Sequence, residues 1–203
     1  IMSNKNNNQF PGSIRRKLKY VDTLTLDGAS GIPADHTMAI NGLYDPNVTG
    51  TGHQPMRYDQ YMAMFRRYRV MSCKWRVVSA ADNTSVTYGA PVVVAAAPYS
   101  ETSGPGSNAF TVGELPGGDV SLLPIAGNMP RTTISGHWEL KDWYGKDSWR
   151  STDYTGSVSA NPTDATFLQI RAENASGSST YSISCLVEME FDVEFYEPYL
   201  IGS

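Results

Sequence analysis

The chain has 203 residues, which favours one large domain or two small ones, and its hydrophobic content of 40% argues against global disorder. The net charge of -4 by itself argues against a nucleic-acid-binding domain. Because no apolar run approaches the ~20 residues needed to span a bilayer, we expect no membrane insertion.

Strand patterns dominate the sequence. Most segments between Gly- and Pro-rich connections show either alternating apolar residues or short apolar runs. Strands are predicted, in chain order, at residues 17–26, 36–40, 70–78, 90–98, 131–140, 165–173 and 181–197. With only short helical patterns, at residues 58–65, 110–115 and 140–144, this arrangement indicates a single antiparallel sandwich or barrel.

Two of these strands carry specific expectations. Alternation at 70–78 predicts one apolar face, which consists of Met71, Cys73, Trp75 and Val77. Residues 90–98 are a continuous run of small apolar residues between prolines, which predicts a strand buried on both faces.

The chain has two cysteines, Cys73 and Cys185, and we expect each to be a small buried residue. A disulfide between the two is the alternative.

The last strand has the clearest pattern. Apolar residues occupy every second position from Ile183 to Phe195, which predicts one face on a core and one polar face. The polar face carries Glu188, Glu190, Asp192 and Glu194. Because like charges on one strand repel each other, we expect this strand to lie between the two basic ones. Their cations are Lys17 and Lys19 on the first strand and Lys74 and Arg76 on the third. An independently solvated acidic face is the alternative.

Candidate catalytic and metal-binding groups are sparse. We interpret the carboxylates of the last strand as structural, because no second motif supports acid–base or metal chemistry. Loop carboxylates at Asp142, Asp147 and Asp153 leave calcium as an alternative, although their spacing matches no calcium loop. The three histidines lack metal-ligand spacing, and no nucleophile or phosphate-loop motif is present. We therefore predict no catalytic residue, no metal site and no cofactor.

Positive charge is concentrated in two clusters. The first consists of Arg15, Arg16, Lys17 and Lys19. The second consists of Arg66, Arg67 and Arg69, interleaved with Phe65 and Tyr68. Arginine and aromatic side chains together suit phosphate contact and base stacking, so both clusters are candidate nucleic-acid contacts. Ordinary surface charge is the alternative.

A distinctive pattern lies between residues 41 and 78. It consists of Leu43-Tyr44-Asp45-Pro46, Gly52-His53-Gln54-Pro55, Tyr58-Asp59-Gln60 and Tyr68-Arg69-Val70. This pattern resembles the capsid proteins of small eukaryotic viruses, and most closely those of circular, Rep-encoding single-stranded DNA viruses, the circovirus-like group. Several of these share capsid ancestry with tombus-like and noda-like positive-strand RNA viruses. In such capsids the pattern links strands C and D.

The resemblance implies an all-β fold with a few short helices in loops. It would be a single jelly-roll β-sandwich over residues 1–203, with two four-stranded antiparallel sheets in the orders B-I-D-G and C-H-E-F. The assignments are 17–26 as strand B, 70–78 as strand D and 181–197 as strand I. This order places strand I between B and D, as the charge argument does independently. The eighth strand is expected within 103–130 or 145–162.

The resemblance also implies a structural function. About 60 copies, or a multiple of that number, would form an icosahedral T=1-type shell around a genome, with single-stranded DNA favoured over single-stranded RNA. The protein would be part of the virion and would assemble inside the host cell, with its receptor unidentified. Because exposed aromatic residues anchor interfaces, the predicted subunit contacts are Trp143, Tyr144, Trp149 and Tyr154. Calcium at such a subunit interface is the alternative to assembly without a cofactor.

Capsids of this group usually carry an Arg/Lys-rich arm that faces the genome. Here only the RRKLK run is present, so the arm lies upstream of Ile1 or packaging relies on something else. We expect residues 1–14 to be a flexible remnant of the arm.

Two rival functions remain open. A non-viral β-sandwich module that binds carbohydrate or protein would use an aromatic platform, for which Trp138, Trp143 and Trp149 are candidates. A cupin-type enzyme would need a His/Glu metal cluster on inner strands, which three dispersed histidines do not supply.

Overall fold

A computed structural model describes residues 11–81, 90–106, 108–124 and 130–199. Its strands are β1 (Ser13–Gly28), β2 (Ala34–Ala39), β3 (Phe65–Ala81), β4 (Val92–Tyr99), β5 (Asp119–Leu123), β6 (Arg131–Glu139), β7 (Gly156–Ser157), β8 (Phe167–Asn174) and β9 (Tyr181–Pro198). Its helices are α1 (Tyr58–Met62), α2 (Ala109–Gly113) and α3 (Leu140–Tyr144), with a 3-10 turn at Ser148–Arg150. None of these described helices has the length and apolar character to cross a membrane.

The strands form two antiparallel sheets that pack as a sandwich. The first has the order β1-β9-β3-β6, with the short β7 pairing beside the start of β3, and the second has the order β2-β8-β4-β5. These are the orders B-I-D-G and C-H-E-F, so the predicted jelly-roll class is confirmed. The eighth strand is β5, inside the first of the two predicted segments.

The predicted arm at residues 1–14 needs a correction at its end. Residues 1–10 lie outside the described residues, but Ser13 and Ile14 already pair with β9, opposite Tyr196 and Phe195. The first strand therefore begins four residues earlier than the alternation from Lys17 indicates, because the Arg15–Arg16 run hides the pattern.

The core lies between the sheets, and one strand is buried on both sides. Every second residue of β9 from Ile183 to Phe195 faces this core. In β4, Val92 and Val94 also face it, whereas Val93, Ala95 and Ala97 pack on the other side against α2. The prediction of a doubly buried strand is therefore confirmed, since α2 supplies the second cover.

The long connection between β4 and β5 lies on the outer face of β8. The Gln169 side-chain amide donates to the backbone oxygens of Glu101 (2.7 Å) and Thr102 (3.0 Å). The Arg171 guanidinium donates to the oxygens of Pro105 (3.2 Å) and Gly106 (2.9 Å). Buried polar groups need partners of this kind, so two side chains of one strand hold the loop in place.

The expected contribution of Met71 to the apolar face of β3 is wrong in detail. Val70 lies opposite Val193 and Ser72 lies opposite Asp192, so Met71 is an extra residue in a β-bulge. It is half-buried and lines a depression on the outer face of the sheet. Alternation resumes at Cys73, which is buried and forms no disulfide, as is true of Cys185.

Candidate nucleic-acid and subunit contacts

The two basic clusters meet at one end of the first sheet. Strands β1 and β3 both run antiparallel to β9, and both begin beside its last residues. Arg15 and Arg69, one from each cluster, lie opposite Glu194 on its two sides. The two clusters are far apart in the sequence, and the strand register brings them together.

The cations of the first cluster are mostly neutralised by β9. Arg15 donates two hydrogen bonds to the Asp192 carboxylate, at 2.7 and 2.8 Å. The remaining pairs are Lys17 with Glu190 (2.8 Å), Lys19 with Glu188 (3.4 Å) and, from β3, Arg76 with Glu188 (2.7 Å). The acidic strand therefore lies between two basic strands, as the charge pattern predicted.

These ion pairs shift the acid–base equilibria of their members. The hydrogen bond that Lys17 donates to Glu190 lowers the pKa of Glu190 and raises the pKa of Lys17. The hydrogen bond from Arg76 lowers the pKa of Glu188 in the same way. A phosphate would have to displace these carboxylates to reach the lysines. Exposed Arg16, by contrast, donates a hydrogen bond to the Arg15 carbonyl oxygen (2.8 Å) and has no ion pair among the described residues.

The prediction that Arg69 contacts nucleic acid is wrong. Arg69 is only 6% exposed, so a phosphate cannot reach it. Its Nη2 lies within hydrogen-bond distance of the Ser151 backbone oxygen (3.2 Å), Thr155 Oγ1 (3.3 Å) and Tyr196 Oη (3.2 Å). The guanidinium carbon also lies 5.0 Å from the centre of the Tyr196 ring. Arg69 therefore ties the loop after α3 to the sheet.

Arg66 and Arg67 remain accessible. The guanidinium carbon of Arg66 lies 5.2 Å from the centre of the Tyr199 ring, a cation–π distance. Arg67 pairs with Glu197 at 3.1 Å, and both side chains are substantially exposed. Tyr199 carries no local sequence signal, because it follows the last predicted strand and only the register reveals its arginine neighbour.

A cavity of about 430 Å³ opens beside Arg66 and Arg67. Glu197, Thr163 and Ser157 also line it. Its remaining lining residues are Thr155, Gly156, Ala160 and Asn161.

The four predicted interface aromatics have different environments. Tyr144 and Tyr154 lie 4.2 Å apart between ring centres, and the Tyr144 hydroxyl is 2.9 Å from that of Thr166. These two and Trp143 pack partly against the core, and burial raises the pKa of Tyr144. Trp149 is 48% exposed and is therefore the member most available to a partner. Whether any of them forms a subunit contact stays a prediction.

Several exposed apolar side chains outside this group carried no sequence signal. Each is a single apolar residue in a loop, on an edge strand or, for Phe110, in the short helix α2, where burial depends on the tertiary fold. The largest exposures are at Met56, Ile32, Leu122 and Phe110.

The segment with the capsid-like pattern folds back over β1 and β2. Asn47 joins the three: its Nδ2 donates to Asp22 (3.0 Å), and its Oδ1 accepts from His36 Nε2 (3.1 Å). Burial raises the pKa of Asp22, but the hydrogen bonds from Asn47, Tyr20 and the Thr23 backbone outweigh it, so the pKa lies below its usual value. Burial also lowers the pKa of His36.

The loop carboxylates considered for calcium do not converge. Asp147 lies 3.7 Å from Arg150, and Asp153 accepts a hydrogen bond from Ser151 Oγ (2.7 Å). Within the part of the chain that the structure describes, no three His, Cys, Asp or Glu residues are grouped as they would be around a metal ion.

Comparisons with known proteins identify the fold. No family model and no curated protein sequence matches the chain. Among solved structures, a chain from the mud crab tombus-like virus is 16% identical in sequence to this chain. The two superpose with a TM-score of 0.51 over 98% of this chain and 87% of that chain.

Two nodaviruses show a similar likeness. The semi-empty virus-like particle of the giant freshwater prawn Macrobrachium rosenbergii nodavirus is 12% identical, with a TM-score of 0.53 over 94% of this chain and 97% of that chain. The T=3 Penaeus vannamei nodavirus is 14% identical, with a TM-score of 0.54 over 98% of this chain and 58% of that chain. At these identities the likeness is one of fold.

Proposed function

We propose that this protein is a viral capsid subunit, copies of which assemble into an icosahedral shell around a genome. One observation carries the proposal: nearly the whole chain superposes on chains from solved virus structures, and its own strands form the two sheets, B-I-D-G and C-H-E-F, that the sequence resemblance implies. The capsid-like pattern between residues 41 and 78 supports it independently, because it lies where strands C and D are linked. The protein would then be a virion component, assembled inside the host cell.

The finer assignments rest on the sequence resemblance. We propose single-stranded DNA as the packaged genome and about 60 copies, or a multiple, in a T=1-type shell. Assembly would need no cofactor. Subunits would meet through their loops, with Trp149 as one anchor, since an exposed tryptophan is a frequent interface hot spot.

The test is assembly of the full chain. The expressed protein should form discrete round particles in negative-stain electron microscopy and sediment as a large species, with or without EDTA. Treating nucleic acid extracted from the particles with DNase or RNase then identifies the genome type. Small soluble species at every salt and pH tried would overturn the proposal, and binding to glycans by such a monomer would favour the carbohydrate-binding alternative.

A matched pair of variants tests the predicted anchor. Trp149→Ala should reduce particle yield without changing the melting temperature of the subunit, because the side chain is largely exposed. Trp149→Phe, which keeps an aromatic ring, should assemble better than the alanine variant. Equal particle yields from both variants and the unaltered protein would remove Trp149 from the interface.

A further inference from the structure

We propose that the cavity beside the start of β3 binds single-stranded nucleic acid, with Arg66 and Arg67 at a phosphate and Tyr199 stacked on a base. The inference rests on the proposed capsid function for the identity of its partner. It narrows the candidate contacts from two basic clusters to one site with a defined shape.

The ion pairs favour this site over the other members of the two basic clusters. The cations of β1 from Arg15 to Lys19 are paired with carboxylates of β9, except Arg16, and Arg69 is buried. Arg66 is exposed and has no carboxylate within ion-pair distance among the described residues. It can therefore contact a phosphate without first losing a carboxylate partner.

Arg67 can contribute a second contact by exchanging partners. Its ion pair with Glu197 has both side chains about half exposed, and pairs of this kind are weak in water. A phosphate entering the cavity would take the place of the Glu197 carboxylate. Glu197 thus opposes binding, and its removal should strengthen it.

Tyr199 supplies the stacking surface. The residue is 44% exposed, and its backbone N–H donates to the Met64 oxygen (3.0 Å), which holds it beside the start of β3. Glu197 adopts a positive φ of 56°, which is uncommon outside glycine and turns the chain just before Tyr199. Aromatic rings bind bases of any sequence by stacking, so the site suits a packaged strand rather than one particular sequence.

The cavity has the size and lining of a binding site for part of a nucleotide. Its volume of about 430 Å³ lies within the range of small-ligand pockets. Thr163 offers an exposed hydroxyl, and Asn161 forms a rigid wall because its amide bonds Tyr44 N, Tyr68 Oη and Asp45 O. The Thr163 hydroxyl suits a phosphate or sugar oxygen.

Fluorescence anisotropy with labelled oligo(dT) and oligo(U) tests the site on unassembled full-length protein. Arg66→Gln should weaken binding and reduce the slope of log K against log salt by about 0.7, the loss of one phosphate contact. Tyr199→Ala should weaken binding by roughly tenfold with little change in slope. Glu197→Gln should tighten binding. Comparing the two oligomers tells whether DNA or RNA is preferred.

Arg131→Gln is the matched control, because Arg131 is exposed, lacks an ion pair among the described residues and lies at the other end of β3. Equal losses from Arg66→Gln and Arg131→Gln would reduce the effect to overall charge and overturn the site, as would wild-type binding by Tyr199→Ala. Circular dichroism of each variant verifies folding. Oligonucleotide binding without particles would reject the capsid function alone, and particles without the Arg66 and Tyr199 effects would reject the site alone.

Discussion

Replacing Arg69 by methionine tests whether this arginine stabilises the fold or binds the genome. Nη2 can donate two hydrogen bonds at a time to its three oxygen neighbours, and a charged donor contributes ~1.5–3 kcal/mol per bond. The variant would lose ~3–6 kcal/mol from these bonds. It would also remove the buried Nε, which has no hydrogen-bond partner among the described residues and costs about 1–3 kcal/mol. We expect a net loss of roughly 2–4 kcal/mol in the free energy of unfolding.

The assay is urea and thermal unfolding of the unassembled subunit, followed by circular dichroism. For a chain of this size the loss corresponds to a fall of roughly 4–16 °C in melting temperature. Arg67→Met, on the same strand but exposed, is the control and should change stability by less than about 1 kcal/mol. A stable Arg69→Met protein with weakened oligonucleotide binding would refute the structural assignment.

Three further predictions follow from other contacts. Because burial lowers the pKa of His36 in the folded protein, the unfolded chain binds its proton more readily, so stability should fall as pH drops below about 6.5; His36→Gln should flatten this dependence in denaturation measured from pH 7 to 5. Gly52→Ala should destabilise the protein by about 1–3 kcal/mol in urea unfolding, because a Cβ would lie 2.7 Å from Tyr20 Oη; an unchanged midpoint would show that the loop shifts freely. Glu188→Gln should lower the melting temperature in low salt, with the difference shrinking in high salt, because the carboxylate pairs with exposed Arg76 and Lys19; a salt-independent difference would contradict an ionic origin.

The sequence predicted the sheet order well where two patterns coincided. Strict alternation predicted β9. The repulsion between its carboxylates called for basic neighbours, which indicated β1 and β3 as the flanking strands. The sequence did not indicate the bounds of strand β5. Its five residues lie on a sheet edge, where Val120 and Leu122 are exposed and no alternation distinguishes core from solvent.

The candidate site was harder to predict, for a geometric reason. The arginine-rich start of β3 gives no indication of which side chain points outward, because Phe65, Tyr68, Arg69 and Val70 are all buried there. The bulge at Met71 shifts the alternation by one residue, so counting back from Trp75 assigns the wrong face. The pairing of Arg66 with Tyr199 depends on a register between segments far apart in the chain, which no local pattern encodes.

The central position of β9 has a consequence for synthesis of the protein. Among the described strands β1 pairs only with β9, and the partners Arg15 and Asp192 are 177 positions apart. On the ribosome, β1 therefore emerges long before the strand that closes its hydrogen-bonding edge. Such distant pairing slows folding and leaves open strand edges exposed to aggregation in the meantime. The first sheet can close only once β9 has been translated, so an incomplete chain cannot present the finished sandwich.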